Sequence, residues 1–313
     1  MSQPHGLFVL DSEIATPTGM NVALAVAVAK ADIDRFSNHE SNGDKYTVAA
    51  VEYIQAPDAF EKTKQLIIEV LVPLLDRLHI FLKPLPLLLS IPTSLSDHDL
   101  RDWLSESEYS AYLSHITISK YQGNAFMVEC LQSLNEPDAI LCIAVDSLLD
   151  DIDNLIATQQ VMNAKNPWGM IPSEGAAGMV LSKKNVIETL KIKPQSQLMS
   201  MGFDWKSSDR RGCSRLIRQA SKLHDNLGVV YSDMTNQRAH VEDYGFAIGA
   251  RSEVLPNAQQ VVLMNEYWGT LGGASGIATI AAMHFLHDTD ALATLFLFDQ
   301  FNTRSLLIFK PIP

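Results

Sequence analysis

The chain has 313 residues, 47% hydrophobic and 19% charged, with 16 glycines and 14 prolines, a globular composition able to build a sizeable core without staples. Its formal net charge of -12 argues against nucleic acid, because phosphate binding needs clustered Lys and Arg. The one basic cluster, Lys206 to Arg218, places Arg210, Arg211, Arg215 and Arg218 at mixed spacing and reads as a solvated helix face.

Cys130, Cys142 and Cys213 are too scattered for a disulfide framework or a CxxC metal site, so a reducing compartment is expected. No positive charge precedes the first apolar residues, as a signal peptide would require. The apolar stretch Leu66 to Ile91 is interrupted by Glu69, Asp76, Arg77 and Lys83, so no membrane span is expected and the protein reads as cytoplasmic.

In chain order, Gly6 to Leu10 predicts a strand, Thr16 to Met20 a turn, and Asn21 to Lys30 a helix capped by Asn21. Thr47 to Ile54 alternates as a strand, Ala59 to Leu78 has the apolar spacing of a long helix, and Leu85 to Ile91 reads as a buried strand. A helix with polar faces follows over Asp97 to His115, then one over Gln122 to Leu134, then the apolar strand Ala139 to Val145, buried on both faces. After a long excursion, Ala176 to Leu181 closes the first part as a strand. Later come a strand at Leu227 to Tyr231, a glycine-rich turn at Leu271 to Gly276 opening a helix to about Leu286, and strands at Leu292 to Phe298 and Ser305 to Phe309. Helix, strand, connection, strand occurs twice, which suggests a duplicated α/β unit packed as one body, with halves 1–187 and 188–313, and a largely parallel sheet covered on both faces.

Three segments carry a family resemblance. Thr16-Pro17-Thr18-Gly19 resembles the early Thr-Pro-x-Gly turn of the β-ketoacyl synthases, members of the thiolase-fold superfamily. Val145-Asp146-Ser147, followed by Asn166 to Ala177 with its Ser173-Glu174-Gly175-Ala176, resembles their central Gly-Glu-Gly-Ala stretch, and Trp268 to Gly276 resembles their C-terminal glycine-rich turn. The resemblance implies a thiolase-like α/β fold, duplicated halves with central, mostly parallel sheets layered with helices. Glu174, set among small residues, is expected to be partly buried and to have a hydrogen-bonding or ionic partner.

A condensing enzyme of that family needs a cysteine at a helix N-terminus, where N–H groups and dipole favour the thiolate. It also needs two histidines, or a histidine and an asparagine, for the enolate, and backbone donors for the oxyanion. The turn expected to hold the nucleophile, Ile116 to Gly123, has no cysteine; Cys130 and Cys142 read as core, and the hydroxyls nearby are Thr117 and Ser119. His115 reads as a surface or capping residue. The first histidine's place, Ser232 to Asn236, has none, and His240 beside Glu242 and Asp243 reads as a solvated loop residue. The second histidine is replaced by Thr270, and the lysine that often precedes it by Asn265. The glycine-rich gate is Phe298 to Arg304, without glycine.

The degenerate-site positions are therefore Ser119, Asn236, Asn265 and Thr270, with no catalytic residue, cofactor or metal expected. No GxSxG, Walker, GxGxxG or HExxH motif occurs, and Asp150, Asp151 and Asp153 read as a charged helix start. The resemblance implies a non-catalytic ketosynthase-like binding partner or scaffold. It would be a homodimer, or a heterodimer with an active synthase in the manner of chain-length factors. An acyl carrier protein is a further possible partner, as is a type VI secretion effector for which the chain would be an adaptor. The alternative is an acyl-thioester enzyme with a rebuilt site, using Ser119 or Thr270 in an open pocket with Asn236 and Asn265. The binding reading expects Tyr121, Tyr267, Trp268 and Phe301 to plug that pocket instead.

Overall fold

The computed structural model describes residues 1–4, 6–33, 35–257, 259–299 and 302–312. The first half contains β1 (Leu7–Ala15), α1 (Val22–Lys30), β2 (Phe36–Ser41), β3 (Asp44–Ala49), α2 (Ala59–Arg77), β4 (Leu85–Ser90), α3 (Asp97–Glu106), β5 (Leu113–Ser119), α4 (Gly123–Gln132), β6 (Ala139–Ser147), α5 (Ile152–Ala157) and β7 (Glu174–Lys183). Then follow α6 (Lys184–Leu190), β8 (Ser196–Asp204), α7 (Gly212–Ala220), β9 (Val229–Ser232), α8 (Arg238–Arg251), β10 (Val262–Leu263), α9 (Asn265–Trp268), α10 (Ser275–Leu286), β11 (Ala293–Phe298) and β12 (Arg304–Pro311). The seam expected at 187/188 falls inside α6.

Local chemistry sets the helix starts. The Asn21 side chain accepts from the Leu24 N–H at 2.9 Å and Asp58 accepts from Glu61 N–H at 2.9 Å, each satisfying a donor that the first turn leaves open. In α2 the residues Leu66, Ile67, Val70, Leu71 and Leu74 form one buried stripe, as their spacing requires.

The strands form one sheet of ten in the order β10-β9-β11-β12-β8-β1-β7-β6-β4-β5, with β2 and β3 as a separate hairpin. Two arrays of matched order meet where Phe8 and Val9 of β1 pair with Gln197 and Ser196 of β8. Within each array the outer three strands are parallel and the inner ones antiparallel, so the sheet is mixed rather than largely parallel. The reason is in the connections. A parallel neighbour needs a long crossover, and β12 follows β11 too closely for one, whereas β7 comes back antiparallel to β6 after the longer connection 148–173.

Three apolar clusters mark the layers. One joins α2 and α3 to the first array, one joins α7 and α8 to the second, and the third surrounds α4 and α10 between them. This central burial explains why α10 is apolar almost all round.

Several boundaries differ from the sequence reading. The helix expected to reach His115 ends at Glu106, and β5 follows, its alternating Leu113, Ile116 and Ile118 having been absorbed into the helix pattern. The strand expected over Thr47 to Ile54 spans Asp44–Ala49 and pairs with β2 through Asn42 and Gly43, both at positive φ (52 and 79°), the conformation for which a two-residue Asn-Gly turn is favoured. Glu174 is buried and accepts from Val51 N–H at 2.8 Å, from the Lys62 ammonium at 2.5 Å and from Ser147 Oγ at 3.3 Å. In the basic cluster Arg215 pairs with Asp204 and Asp209, and Arg210 with Glu242.

One buried ion pair braces the second array. Arg304, 1% exposed, donates through Nε to Asp243 at 3.1 Å and through Nη1 to the Thr303 carbonyl at 2.8 Å, with its guanidinium 4.6 Å from the Phe298 ring centre. Removing one partner of such a pair strands the other charge away from water. Arg304→Met should therefore lower the unfolding free energy by about 3–5 kcal/mol in urea titrations, and adding Asp243→Asn should restore much of the loss.

Candidate functional site

A cavity of about 90 Å³ opens where β6, β9 and β11 end and α4 and the glycine turn before α10 begin. That placement follows the rule that open α/β sheets present ligand crevices at the carboxyl ends of their strands. Gln122 and Gly123 come from the start of α4, Thr270, Gly272, Gly273 and Ser275 from the turn, Asp146 from β6, and Phe298 and Asp299 from the end of β11 and the loop after it. Asp233 and His240 complete that face.

The first residue of α4 is Gly123, at φ +54°, and a Cβ built there would meet the Asp299 side chain at 3.2 Å. The helix start that would activate a thiolate thus carries no side chain. Opposite it, Asp146 Oδ2 accepts from the Gly273 N–H at 2.7 Å while Oδ1 accepts from the Ser147 N–H at 2.9 Å. Gly272 is at φ +55° and a Cβ there would collide with the same carboxylate, so glycine is needed for this approach. Burial raises the Asp146 carboxyl above its usual range even though both N–H groups favour its anion.

Asp233 and His240 are each 7% exposed. Asp233 Oδ1 accepts from the Phe298 N–H at 2.8 Å. Burial, with the Asp299 carboxylate adding, pushes its carboxyl up to about 8. His240 Nδ1 lies 3.0 Å from Thr235 Oγ1 and its ring 4.8 Å from that of Phe298; burial, helped by Arg304, brings it down to about 3. His240 was expected to be solvated. It is instead turned inward at the start of α8, because Phe298 and Thr235 offer its ring an apolar face and a partner.

The four predicted positions separate. Thr270 lines the cavity and its hydroxyl donates to Asn265 Oδ1 at 2.6 Å, with Asn265 buried behind it. Ser119 does not line it; its hydroxyl donates to the Glu129 carboxylate and accepts from Tyr121 N–H at 2.9 Å. Asn236 is exposed and outside the lining. The expected plugs are elsewhere too: Trp268 is 1% exposed in the central core, with Tyr267 packed edge-on at 5.7 Å, and Tyr121 is 42% exposed. Phe301 lies outside the described residues. Phe298 and Met170 provide the apolar lining in their place.

The acids of the cleft, Asp146, Asp233 and Asp299, were not singled out. A signal existed, since each stands at the carboxyl end of an apolar strand run, where a polar side chain faces a crevice. Among the described residues no group of three His, Cys, Asp or Glu side chains is placed to hold a metal ion. The three cysteines are buried. Burial raises the thiols of Cys130 and Cys213, with Cys142 adding at the first and Asp243 at the second.

No protein-family model matches the chain, and no curated protein matches it. Solved structures do. A type II polyketide ketosynthase in complex with its acyl-carrier protein matches at TM-score 0.77 and 12% identity, over 99% of this chain and 100% of that one. The ishigamide ketosynthase/chain length factor matches at 0.71 and 12% over 98% and 100%, and a β-ketoacyl synthase from Burkholderia phymatum at 0.71 and 12% over 99% and 100%. The fold is therefore the thiolase-like fold of the ketosynthases.

Titration links this geometry to stability. His240, and His284 held between Ser12 Oγ (3.1 Å) and Ser196 Oγ (2.7 Å), both sit at about 3 in the fold, against about 6.5 in an unfolded chain. Their stability is complete above about 6.5 and lost as the pH falls towards 3, because the unfolded chain takes up the protons first. Asp233 has the opposite sign: its contribution is complete below about 3.9 and is lost as the pH rises through about 8. Denaturant midpoints should fall from pH 7 to pH 5, less steeply in His284→Gln and more steeply in Asp233→Asn, because the protonated Asp233 gains stability over the same interval and so opposes the fall.

Proposed function

We propose that this chain is a non-catalytic ketosynthase-like protein that works by binding a ketosynthase-like partner or an acyl carrier protein. The observation that carries the reading is Gly123: the helix start that would present a nucleophile has no side chain, and Asp299 occupies the adjoining space. The surroundings support it. Condensation builds negative charge on an enolate and an oxyanion, and the cavity where that charge would develop is lined by Asp146, Asp233 and Asp299 and, among the described residues, by no Lys or Arg. The cavity's 90 Å³ is also well under the about 300 Å³ at which small-molecule sites usually begin.

Two of the similar structures bear on partners. One is a ketosynthase with a chain length factor and the other a ketosynthase with its acyl-carrier protein. By analogy this chain would contribute a fold that a partner recognises, as a dimer with itself or with a ketosynthase, and an adaptor for a secretion effector is the more distant version of the same role. The rebuilt-enzyme reading has one observation in its favour: Asp233, at about 8, is protonated at neutral pH and could donate to a developing oxyanion.

Incubation with acetyl- and malonyl-thioesters should leave the intact mass unchanged for the parent, Ser119→Ala and Thr270→Ala alike. A covalent acyl adduct on the parent that disappears in one of the variants would overturn the binding-only reading and identify the nucleophile.

A further inference from the structure

We propose that the cleft receives a primary carboxamide, an uncharged group of a few heavy atoms, with its carbonyl oxygen on His240 Nε2–H and its amide N–H on Thr270 Oγ1. The inference goes beyond the partner role proposed above, since a non-catalytic binding protein could have or lack such a receptor.

The tautomer of His240 is the first support. Its Nδ1 accepts from the Thr235 hydroxyl at 3.0 Å and from the Thr235 N–H at 3.5 Å. Thr235 Oγ1 itself accepts from the Gln237 N–H at 3.2 Å, which leaves its proton for Nδ1. Nδ1 is therefore bare, and the proton of the neutral ring sits on Nε2. Nε2 has no hydrogen-bond partner among the described residues, although the side chain is 7% exposed and lines the cavity. The fully enclosed side-chain atoms without a partner, among the described residues, are Ser173 Oγ, Ser182 Oγ and Arg304 Nη2. Nε2 is not one of them, so this donor still reaches open space, and the space its ring lines is the cavity.

Two more groups face the same space. Thr270 gives its proton to Asn265 Oδ1 at 2.6 Å, which leaves its oxygen as an acceptor towards the cavity. The Ser275 hydroxyl, buried at the start of α10, lines the cavity without a hydrogen-bond partner among the described residues. One fixed donor, one fixed acceptor and one group able to serve as either match a ligand that carries both a carbonyl oxygen and N–H groups. Phe298 and Met170 give its attached carbons an apolar wall.

The charges of the cleft favour an uncharged ligand. Asp146 spends both oxygens on backbone N–H groups, and Asp299 spends both on Thr303. Asp233, raised by burial to about 8, keeps its proton at neutral pH. The acids are thus met from within and call for no cation, and with no Lys or Arg in the described lining an anion would find no counter-charge. A cavity of about 90 Å³ admits a group of this size, below the about 300 Å³ usual for whole small molecules.

Nuclear magnetic resonance of the full chain, isotope-labelled at its histidine rings, tests the proposal at pH 7 with propionamide as the probe. Propionamide should shift one Nε2–H signal saturably, the signal missing from His240→Phe. Butanone, in which a methyl group replaces the amide nitrogen, should bind at least about fivefold more weakly, the loss of one hydrogen bond. Thr270→Val and His240→Phe, checked for folding by circular dichroism, should each weaken propionamide about fivefold for the same reason. Propionate and n-propylammonium, of similar size but charged, should leave the signal in place, and added salt should not change the propionamide affinity. N-acetylglutamine methylamide separates two sources of the group: tighter binding than propionamide assigns it to a peptide side chain, weaker binding to a free small amide, and either upholds the carboxamide site. No saturable shift, equal affinity for butanone, equal binding of either ion, or undiminished propionamide binding by a folded Thr270→Val or His240→Phe would each overturn the proposal.

Discussion

The contact on which the cleft depends is the one between the Asp146 carboxylate and the backbone of the glycine turn. β6 ends deep in the first array, and α10 begins in the sequence of the second half. The carboxylate fixes one against the other by accepting from Gly273. Three consequences follow from that tie. Gly272 must lack a side chain, α10 is aimed between the arrays, where it meets α4, and Thr270 is held at the cavity wall by backbone hydrogen bonds to Ile171 and from Ser173.

Around this frame the cleft is acidic in its side chains. Helix starts bring positive potential and favour anions, yet the side chains gathered at these two starts are carboxylic acids. Asp146 spends its acceptor capacity on backbone N–H groups, so the positive end of the turn is already neutralised from within. Asp299 does the same for its own loop by accepting from Thr303. Asp233 is less well matched: its burial and the nearby Asp299 carboxylate outweigh the Phe298 N–H that it accepts, which is why it holds its proton. The second array bears a further burial cost in the Arg304–Asp243 pair, and the aromatic rings of Phe298 and His240 lie between that pair and the cavity.

How much of this was legible in the sequence depended on range. Periodicity found α2, α4, β6, β11 and β12 to within a few residues, since each buries an apolar pattern of fixed period. The hairpin's first strand and β5 escaped because both have polar outer faces; Phe36–Ser41 has little apolar signal, and His115 reads as well on a helix as on an edge strand. The antiparallel inner strands were invisible for another reason. An apolar run says that a strand is buried but not which way it points, and a long connection such as 148–173 before β7 is compatible with either direction. At the cleft, the sequence reading did not pick out the acids that line it. His240 is the clearest case: its neighbours Glu242 and Asp243 suggested solvent, while the residues that enclose it, Phe298 and Arg304, lie far away along the chain.

Gly123 has a consequence for the paths open to this protein by mutation. A residue other than glycine there would adopt a left-handed backbone, at a cost of about 1–2 kcal/mol, and would also press its Cβ against Asp299. A cysteine arriving by a single substitution would therefore begin strained, and with an acid beside it that disfavours its thiolate. Seating any side chain at this position would call for a second change, at or around Asp299, to relieve the contact. The helix start thus resists any side chain at its first residue, and that resistance comes from backbone and loop together.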